Sequence, residues 1–195
     1  ADSQREWNVS QWRSLTVSDA LNRAGWRGVC RHFSGFTSYL DDGILDAIMP
    51  CDLIIFSRNA LIPQSHDAIK YYQGLGKPVV IDLDDGYFSL PWSNPARRFW
   101  NELSFKTYDG EEEGGALRML ERALRLSNGL IAPNRLLLKL YEPLCKNTYY
   151  LQNYAEPAWW LDLPERNNGK IVIGWGGSLS HYYSWVGSGI LGAVE

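Results

Sequence analysis

Apolar residues along this chain cluster in short dense runs, separated by longer stretches of mixed polarity. Residues 52–57, "DLIIFS", and 77–82, "KPVVID", are two such runs. They are continuous rather than alternating, as in strands buried on both faces of a parallel sheet. Between them, "SHDAIKYYQGLG" (65–76) reads as a helix, with Ser65 placed to cap its start and Gly74 or Gly76 to end it. Strand, helix, strand in this order is a βαβ crossover, which belongs to a parallel sheet and turns right-handed. The rhythm continues downstream. "GGALRMLERALRLS" (114–127) is an amphipathic helix with Leu117, Leu120, Ala123 and Leu124 on one side. "GLIAPN" (129–134) is a buried strand, "NRLLLKLYEPL" (134–144) a helix capped by Asn134, and "NTYYLQN" (147–153) a further strand. Upstream, "QWRSLTVSDALNRA" (11–24) predicts a helix closed by Gly25, "GVCRHF" (28–33) a short strand, and "SYLDDGILDAIM" (38–49) a helix stopped by Pro50. The alternation predicts an α/β, doubly wound parallel sheet.

A polar, proline-containing piece, "LDLPERNNGK" (161–170), interrupts the pattern, and a fresh strand, "IVIGWGG" (171–177), follows it. Residues 1–160 are therefore expected to form one Rossmann-like domain, 161–170 a linker, and 171–195 the first strand and helix of a second Rossmann-like domain. Such an opening unit has no sheet of its own to join. The C-terminal segment is accordingly expected to seek a partner, for example in a homo-oligomer.

Composition narrows the function classes. Of 195 residues, 45% are hydrophobic and 21% charged, as in an ordinary folded protein. The net charge of −3 comes without a basic block, which argues against nucleic acid as a partner. Nine Trp and eleven Tyr are more than usual; aromatic faces stack on sugar and base rings, but they also fill cores. Cys30, Cys51 and Cys145 are odd in number and far apart, which favours reduced thiols and a cytoplasmic location over a disulfide framework or a zinc site. No apolar run reaches the ~18 residues of a membrane span. The opening "ADSQREWN" does not read as a signal peptide.

The candidate chemistry lies in "VVIDLDDGYF" (79–88), where Asp82, Asp84 and Asp85 follow a buried strand. Open parallel sheets bind ligands beyond the carboxyl ends of their strands, so the position is suggestive. Acids at strand ends also cap turns or face water. A strand followed by D-x-D resembles the first motif of haloacid-dehalogenase-like phosphatases. That resemblance implies Asp82 as nucleophile and Asp84 as proton carrier, with Mg²⁺ offsetting the charge. Against it, at least one βα unit precedes the motif, no adjacent acidic pair occurs after residue 113, and Gly86-Tyr87 replaces the usual Thr or Val. D-x-D also resembles the metal site of GT-A glycosyltransferases, but the order of elements does not suit that fold.

A broader resemblance covers nearly the whole chain. "GKPVVIDLDDGYFSLPWSNPARRFW", "SNGLIAPNRLLLKLY", "YYLQNYAEPAWW" and "IVIGWGGSLSH" follow one another as in GT-B glycosyltransferases of the family-four-like group. That resemblance implies an acceptor-binding N-terminal domain, a C-terminal domain for a nucleotide-sugar donor, and chemistry in the cleft between them. It implies a carbohydrate acceptor, no bound cofactor and no D-x-D metal. Asp84 and Asp85 would orient the attacking hydroxyl, and Arg13, Asp82 and Asn153 would bind substrate. Gly176, Gly177 and Ser178, in a Gly-rich turn after a new strand, would bring backbone N–H groups to the donor diphosphate, with His181 nearby. Arg58 can also offer a guanidinium fork, though it reads as readily as a surface ion pair. The sequence departs from the family in two ways. The first strand and Gly-rich loop of the acceptor domain are not recognisable, and most of the donor domain, including its E-x(7)-E element, is missing. These 195 residues are therefore expected to be inactive alone, whether as a fragment or as a non-catalytic binding or assembly module.

Overall fold

The computed structural model describes residues 11–31, 40, 42–58, 63–92, 94, 97, 100, 104–106, 112–154, and single positions at 157, 169, 186, 187, 189 and 192. Its centre is a parallel sheet of four strands, β1 (Ile54–Ser57), β2 (Val79–Asp82), β5 (Gly129–Ala132) and β6 (Thr148–Tyr150), adjacent in that order. The register aligns Ile54 with Val79, Val80 with Gly129, and Leu130 with Thr148. All pairings are parallel, as the crossover pattern predicts.

Helix α3 (Pro63–Gly74) links β1 to β2, α4 (Ala116–Leu126) links β2 to β5, and α5 (Arg135–Tyr141) links β5 to β6. The residues they cover alternate along the strands. Ile54, Val79, Ile81, Leu83 and Leu130 form one buried cluster with Ala68, Ile69 and Tyr72 of α3, Leu120, Ala123 and Leu124 of α4, and Tyr141 of α5. Helix α2 (Asp42–Ile48) adds Leu45 and Ile48 to its margin. Period-two alternation sends Val80 and Asp82 to the opposite face. There Asp82 meets Arg13, which belongs to a π-helical turn (Gln11–Leu15) that runs into α1 (Thr16–Arg23). The sheet is thus covered on one face by its crossover helices and met on the other by Arg13, and the α/β, Rossmann-like expectation holds.

Helix boundaries follow local chemistry. α1 and α3 both end in Schellman caps. Gly25 at φ 84° and Gly76 at φ 77° take the left-handed conformation, which lets Trp26 N–H reach Leu21 O at 2.9 Å and Lys77 N–H reach Tyr72 O at 3.0 Å. Asn134 caps α5 as expected, its side chain accepting from Leu137 N–H at 2.9 Å.

Four details differ from the pattern. α3 begins at Pro63, so Ser65 is not its cap but a fully buried residue of the first turn; proline suits the first helical position because it has no N–H to leave unpaired. α2 starts at Asp42, later than 38. Residues 28–31 join no strand, and positions 32 and 33 lie outside the described residues. Gly28 is instead tied to α1: its N–H donates to Asn22 Oδ1 at 2.9 Å, and its carbonyl accepts from Asn22 Nδ2 at 3.0 Å. Finally, Gly114 and Gly115 are extended. They belong to β4 (Glu112–Gly115), which pairs antiparallel with β3 (Ser104–Lys106) across a bulge. The expected linker and second domain fall almost wholly outside the described residues.

Candidate functional site

The carboxyl ends of the four strands form one edge, and the chemistry-bearing side chains gather there. Strand pairing persists one residue past β1, β2 and β6. Arg58 N–H donates to Asp82 O at 3.1 Å, Leu83 N–H to Ile131 O at 3.0 Å, and Leu151 N–H to Ala132 O at 3.1 Å. Beyond this line the backbone turns away, and Arg58 does so at φ 60°. Left-handed backbone costs a non-glycine residue about 1–2 kcal/mol, and such strain concentrates at functional sites.

Arg13 binds three segments together. Its Nε donates to Asp82 Oδ2 at 3.0 Å, and its Nη2 pairs with Asp82 Oδ1. Its Nη1 donates to Leu151 O and to Asn153 Oδ1, both at 2.8 Å. The Arg13 and Asp82 side chains are only 3% and 5% exposed. Burial raises the Asp82 carboxyl above its ordinary value, while the hydrogen bond and charge of Arg13 pull it back. The three residues that the sequence grouped as substrate-binding, Arg13, Asp82 and Asn153, therefore do come together. Arg13 and Asp82 direct their polar atoms at each other, and Asn153 remains exposed.

Asp84 stands apart from this clamp. Its side chain is 16% exposed, and its Oδ1 has no hydrogen-bond partner. The nearest cation is Arg58 Nε at 3.5 Å, an ion pair too long for a good hydrogen bond. The same Nε donates to Tyr87 Oη at 2.7 Å. Burial raises the Asp84 carboxyl; Arg58 lowers it, and the charges of Asp85 and Asp82 raise it further. Burial likewise holds the Tyr87 phenol above its ordinary range. Asp85 is exposed.

The turn between Asp84 and Tyr87 is held from α5. Tyr141 is fully buried, and its hydroxyl donates to Asp85 O at 2.7 Å while accepting from Tyr87 N–H at 3.0 Å. Phe88 packs edge-on against the Tyr141 ring at 5.9 Å, and Trp100 against Tyr87 at 5.2 Å. Sequence reasoning missed Tyr87 and Tyr141. Tyr87 directly follows Gly86 at the end of the acidic motif, a signal the sequence does carry, whereas an aromatic on the inner side of a helix reads as core. Gly176, Gly177, Ser178 and His181 lie outside the described residues.

Among the described residues, no group of three or more His, Cys, Asp and Glu side chains is placed to hold a metal ion. Cys30, Cys51 and Cys145 are all unpaired, and burial pushes the Cys145 thiol up to about 11. No described helix is long and apolar enough to cross a membrane.

No family model matches the chain, and no curated protein matches its sequence. Two solved structures are similar in backbone to part of it. One is UGT73P12 of Glycyrrhiza uralensis complexed with glycyrrhetinic acid 3-O-monoglucuronide, at 15% identity and TM-score 0.35, covering 70% of this chain and 39% of that one. The other is a UDP-glucosyltransferase from Polygonum tinctorium capable of glucosylating indoxyl, in complex with 3,4-dichloroaniline. It has 12% identity and TM-score 0.34, covering 79% of this chain and 35% of that one. The chain thus spans well under half the length of either, and likenesses of this size do not establish a shared activity.

Proposed function

We propose that the chain is the acceptor side of a GT-B glycosyltransferase, which moves a sugar from a nucleotide-sugar donor to a saccharide or glycoconjugate. The observation that carries this reading is Asp84 at the carboxyl edge of a parallel sheet, half-buried, with one carboxylate oxygen lacking a hydrogen-bond partner. A buried acceptor atom of this kind is costly unless a donor arrives. A sugar hydroxyl is a neutral donor of the right size. In this reading Asp84 accepts the hydroxyl proton's hydrogen bond and orients the oxygen for attack. Arg58 and Tyr87 keep the carboxylate in place, and Asp85 contributes at the exposed rim. Arg13, Asp82 and Asn153 build the wall of the crevice. The order of sequence segments favours the same family, and residues 171–195 would begin the donor domain. Gly176, Gly177, Ser178 and His181 would then lie near the donor diphosphate.

The phosphatase reading fares worse on geometry. Its nucleophile would be Asp82, whose two oxygens both face Arg13 in a nearly closed environment. A nucleophile must reach phosphorus in line, and this one is spoken for.

The test is a nuclear magnetic resonance titration of the chain with glucose, galactose and N-acetylglucosamine. Saturable shifts centred on Asp84 and Tyr87, lost in Asp84→Asn, are expected. Absence of any saturable shift defeats the acceptor reading. Mg²⁺-dependent release of phosphate from p-nitrophenyl phosphate, abolished by Asp82→Asn, would replace it with the phosphatase.

A further inference from the structure

Tyr141, the last residue of α5, holds the two backbone groups that flank Gly86. Its hydroxyl takes the Tyr87 N–H and gives its proton to the Asp85 carbonyl, so both of its hydrogen-bonding roles are used on one turn. The ring is fully buried and belongs to the same core cluster as Leu83, Leu124 and Leu130, so the hydroxyl has a fixed origin. The turn also makes a hydrogen bond of its own, Ser89 N–H to Gly86 O at 2.9 Å. That bond shapes the turn but does not dock it to the sheet. The hydrogen bonds that dock it are those of Tyr141 and that of Arg58 Nε to the Tyr87 hydroxyl, and they act beside the burial of the Tyr87 ring in the core.

We propose that Tyr141 is a positioning residue. From the core end of α5 it fixes the Asp85–Tyr87 backbone, and so sets the depth at which Asp84 is presented to an acceptor hydroxyl. The last step rests on the acceptor reading above; the positioning itself does not. The charged and titratable groups facing Asp84 are Arg58, Asp85 and Asp82, with Tyr87 beside it and Tyr141 on α5; burial holds the Tyr141 phenol above its ordinary range, so it stays neutral. Tyr141 therefore acts on Asp84 through backbone placement rather than through charge. Phenylalanine at 141 keeps the ring and its packing and deletes only the two hydrogen bonds. The turn is then free to lift towards water and carry Asp84 with it.

Tyr141→Phe in the full chain, followed by ¹³C carboxyl titration and amide hydrogen exchange, tests this. The Tyr87 amide is expected to exchange about tenfold faster, the loss of roughly one hydrogen bond, while Ile81 and Leu130 amides stay protected. The Asp84 carboxyl is expected to titrate closer to its ordinary value of 3.8 as its burial is relieved. An Asp84 titration that does not move, whether or not the Tyr87 amide is released, overturns the proposal and leaves Tyr141 as a core residue. Gly86→Ala attacks the same turn independently, since a Cβ there would come within 2.6 Å of Ser89 Oγ and 3.2 Å of Leu140 Cδ2. If Tyr141→Phe does not fold, Gly86→Ala decides: a lowered Asp84 titration supports positioning by this turn, and an unchanged one overturns it. Glucose titration of the parent chain separates the two readings. A moved carboxyl with no glucose binding upholds the positioning and removes the acceptor role.

Discussion

Replacing Arg13 by methionine removes the charge that faces Asp82 and keeps most of the side-chain volume. The cost can be worked from the contacts. Four hydrogen bonds are lost: two to Asp82, one to Leu151 O and one to Asn153 Oδ1. Leu151 and Asn153 are exposed, so their oxygens regain water and contribute little. Asp82 is different, since its side chain is 5% exposed and no other cation pairs with it among the described residues. Stranding one member of a buried pair costs about 3–5 kcal/mol. Asp82 can escape part of that cost by taking a proton, which makes the loss depend on pH. Its folded carboxyl already lies above 3.8 and must rise further without Arg13. A carboxyl raised in the folded state gives stability that is present below its unfolded value and lost as pH rises through the folded one. The variant should therefore lie close to the parent near pH 4 and fall behind by about 3–5 kcal/mol by pH 7.5. Urea unfolding at the two pH values, followed by tryptophan fluorescence, measures this. Pairing Arg13→Met with Asp82→Leu removes both charges and should recover most of the loss at pH 7.5. A cost under about 1 kcal/mol at pH 7.5, the same cost at both pH values, or a double variant no better than the single one would refute the reasoning.

Two further outcomes follow from the Asp84–Arg58 pair. Asp84→Asn removes a carboxylate that burial disfavours, so it should stabilise the chain at pH 7 by about 1 kcal/mol; the gain should vanish below pH 3.8, where the parent carboxyl is also neutral, and thermal unfolding across that range checks it. Arg58→Gly relieves a left-handed backbone but deletes both the Asp84 ion pair and the hydrogen bond to the buried Tyr87 hydroxyl, so a net loss of about 1–2 kcal/mol is expected by urea unfolding, while the Asp84 carboxyl, freed of the Arg58 charge that lowers it, should titrate higher by ¹³C resonance.

The parallel sheet was legible because its strands are short, continuous and apolar, and because helices of matching length separate them. "VVID" and "GLIA" could not be half-exposed strands, and both are almost wholly buried. Asn134, Gly25 and Gly76 declared helix ends through local chemistry that tertiary contacts did not override. Elements whose shape depends on distant partners were not legible. "GVCRHF" carries strand-like residues, but the Asn22 amide claims Gly28 first. Ser65 reads as a cap, yet Pro63 can start the helix one turn earlier, and Ser65 is buried as a result. The β3–β4 ribbon has a four-residue strand of "EEGG", which no propensity favours.

The candidate site shows the same division. Two acids spaced i, i+2 on a strand share a face, so Asp82 and Asp84 read as a pair in the sequence. The ladder ends between them. Leu83 makes the last pairing hydrogen bond, to Ile131 O, and Asp84 already lies on the outgoing turn. The spacing that would have made a two-carboxylate centre instead assigns each acid a different cation, Arg13 for one and Arg58 for the other. The two ion pairs differ in kind. Arg13 meets Asp82 with two hydrogen bonds and continues to Leu151 and Asn153, so the clamp spans 138 and 140 positions of sequence and is satisfied throughout. Arg58 meets Asp84 at 3.5 Å, spends its Nε on Tyr87, and is held at a backbone angle that its own side chain disfavours. A fully bonded pair gains nothing from a ligand. A loosely bonded carboxylate beside a strained arginine gains a hydrogen bond from any donor that fits, which is the reason for proposing Asp84 as the ligand contact and Asp82 as its support.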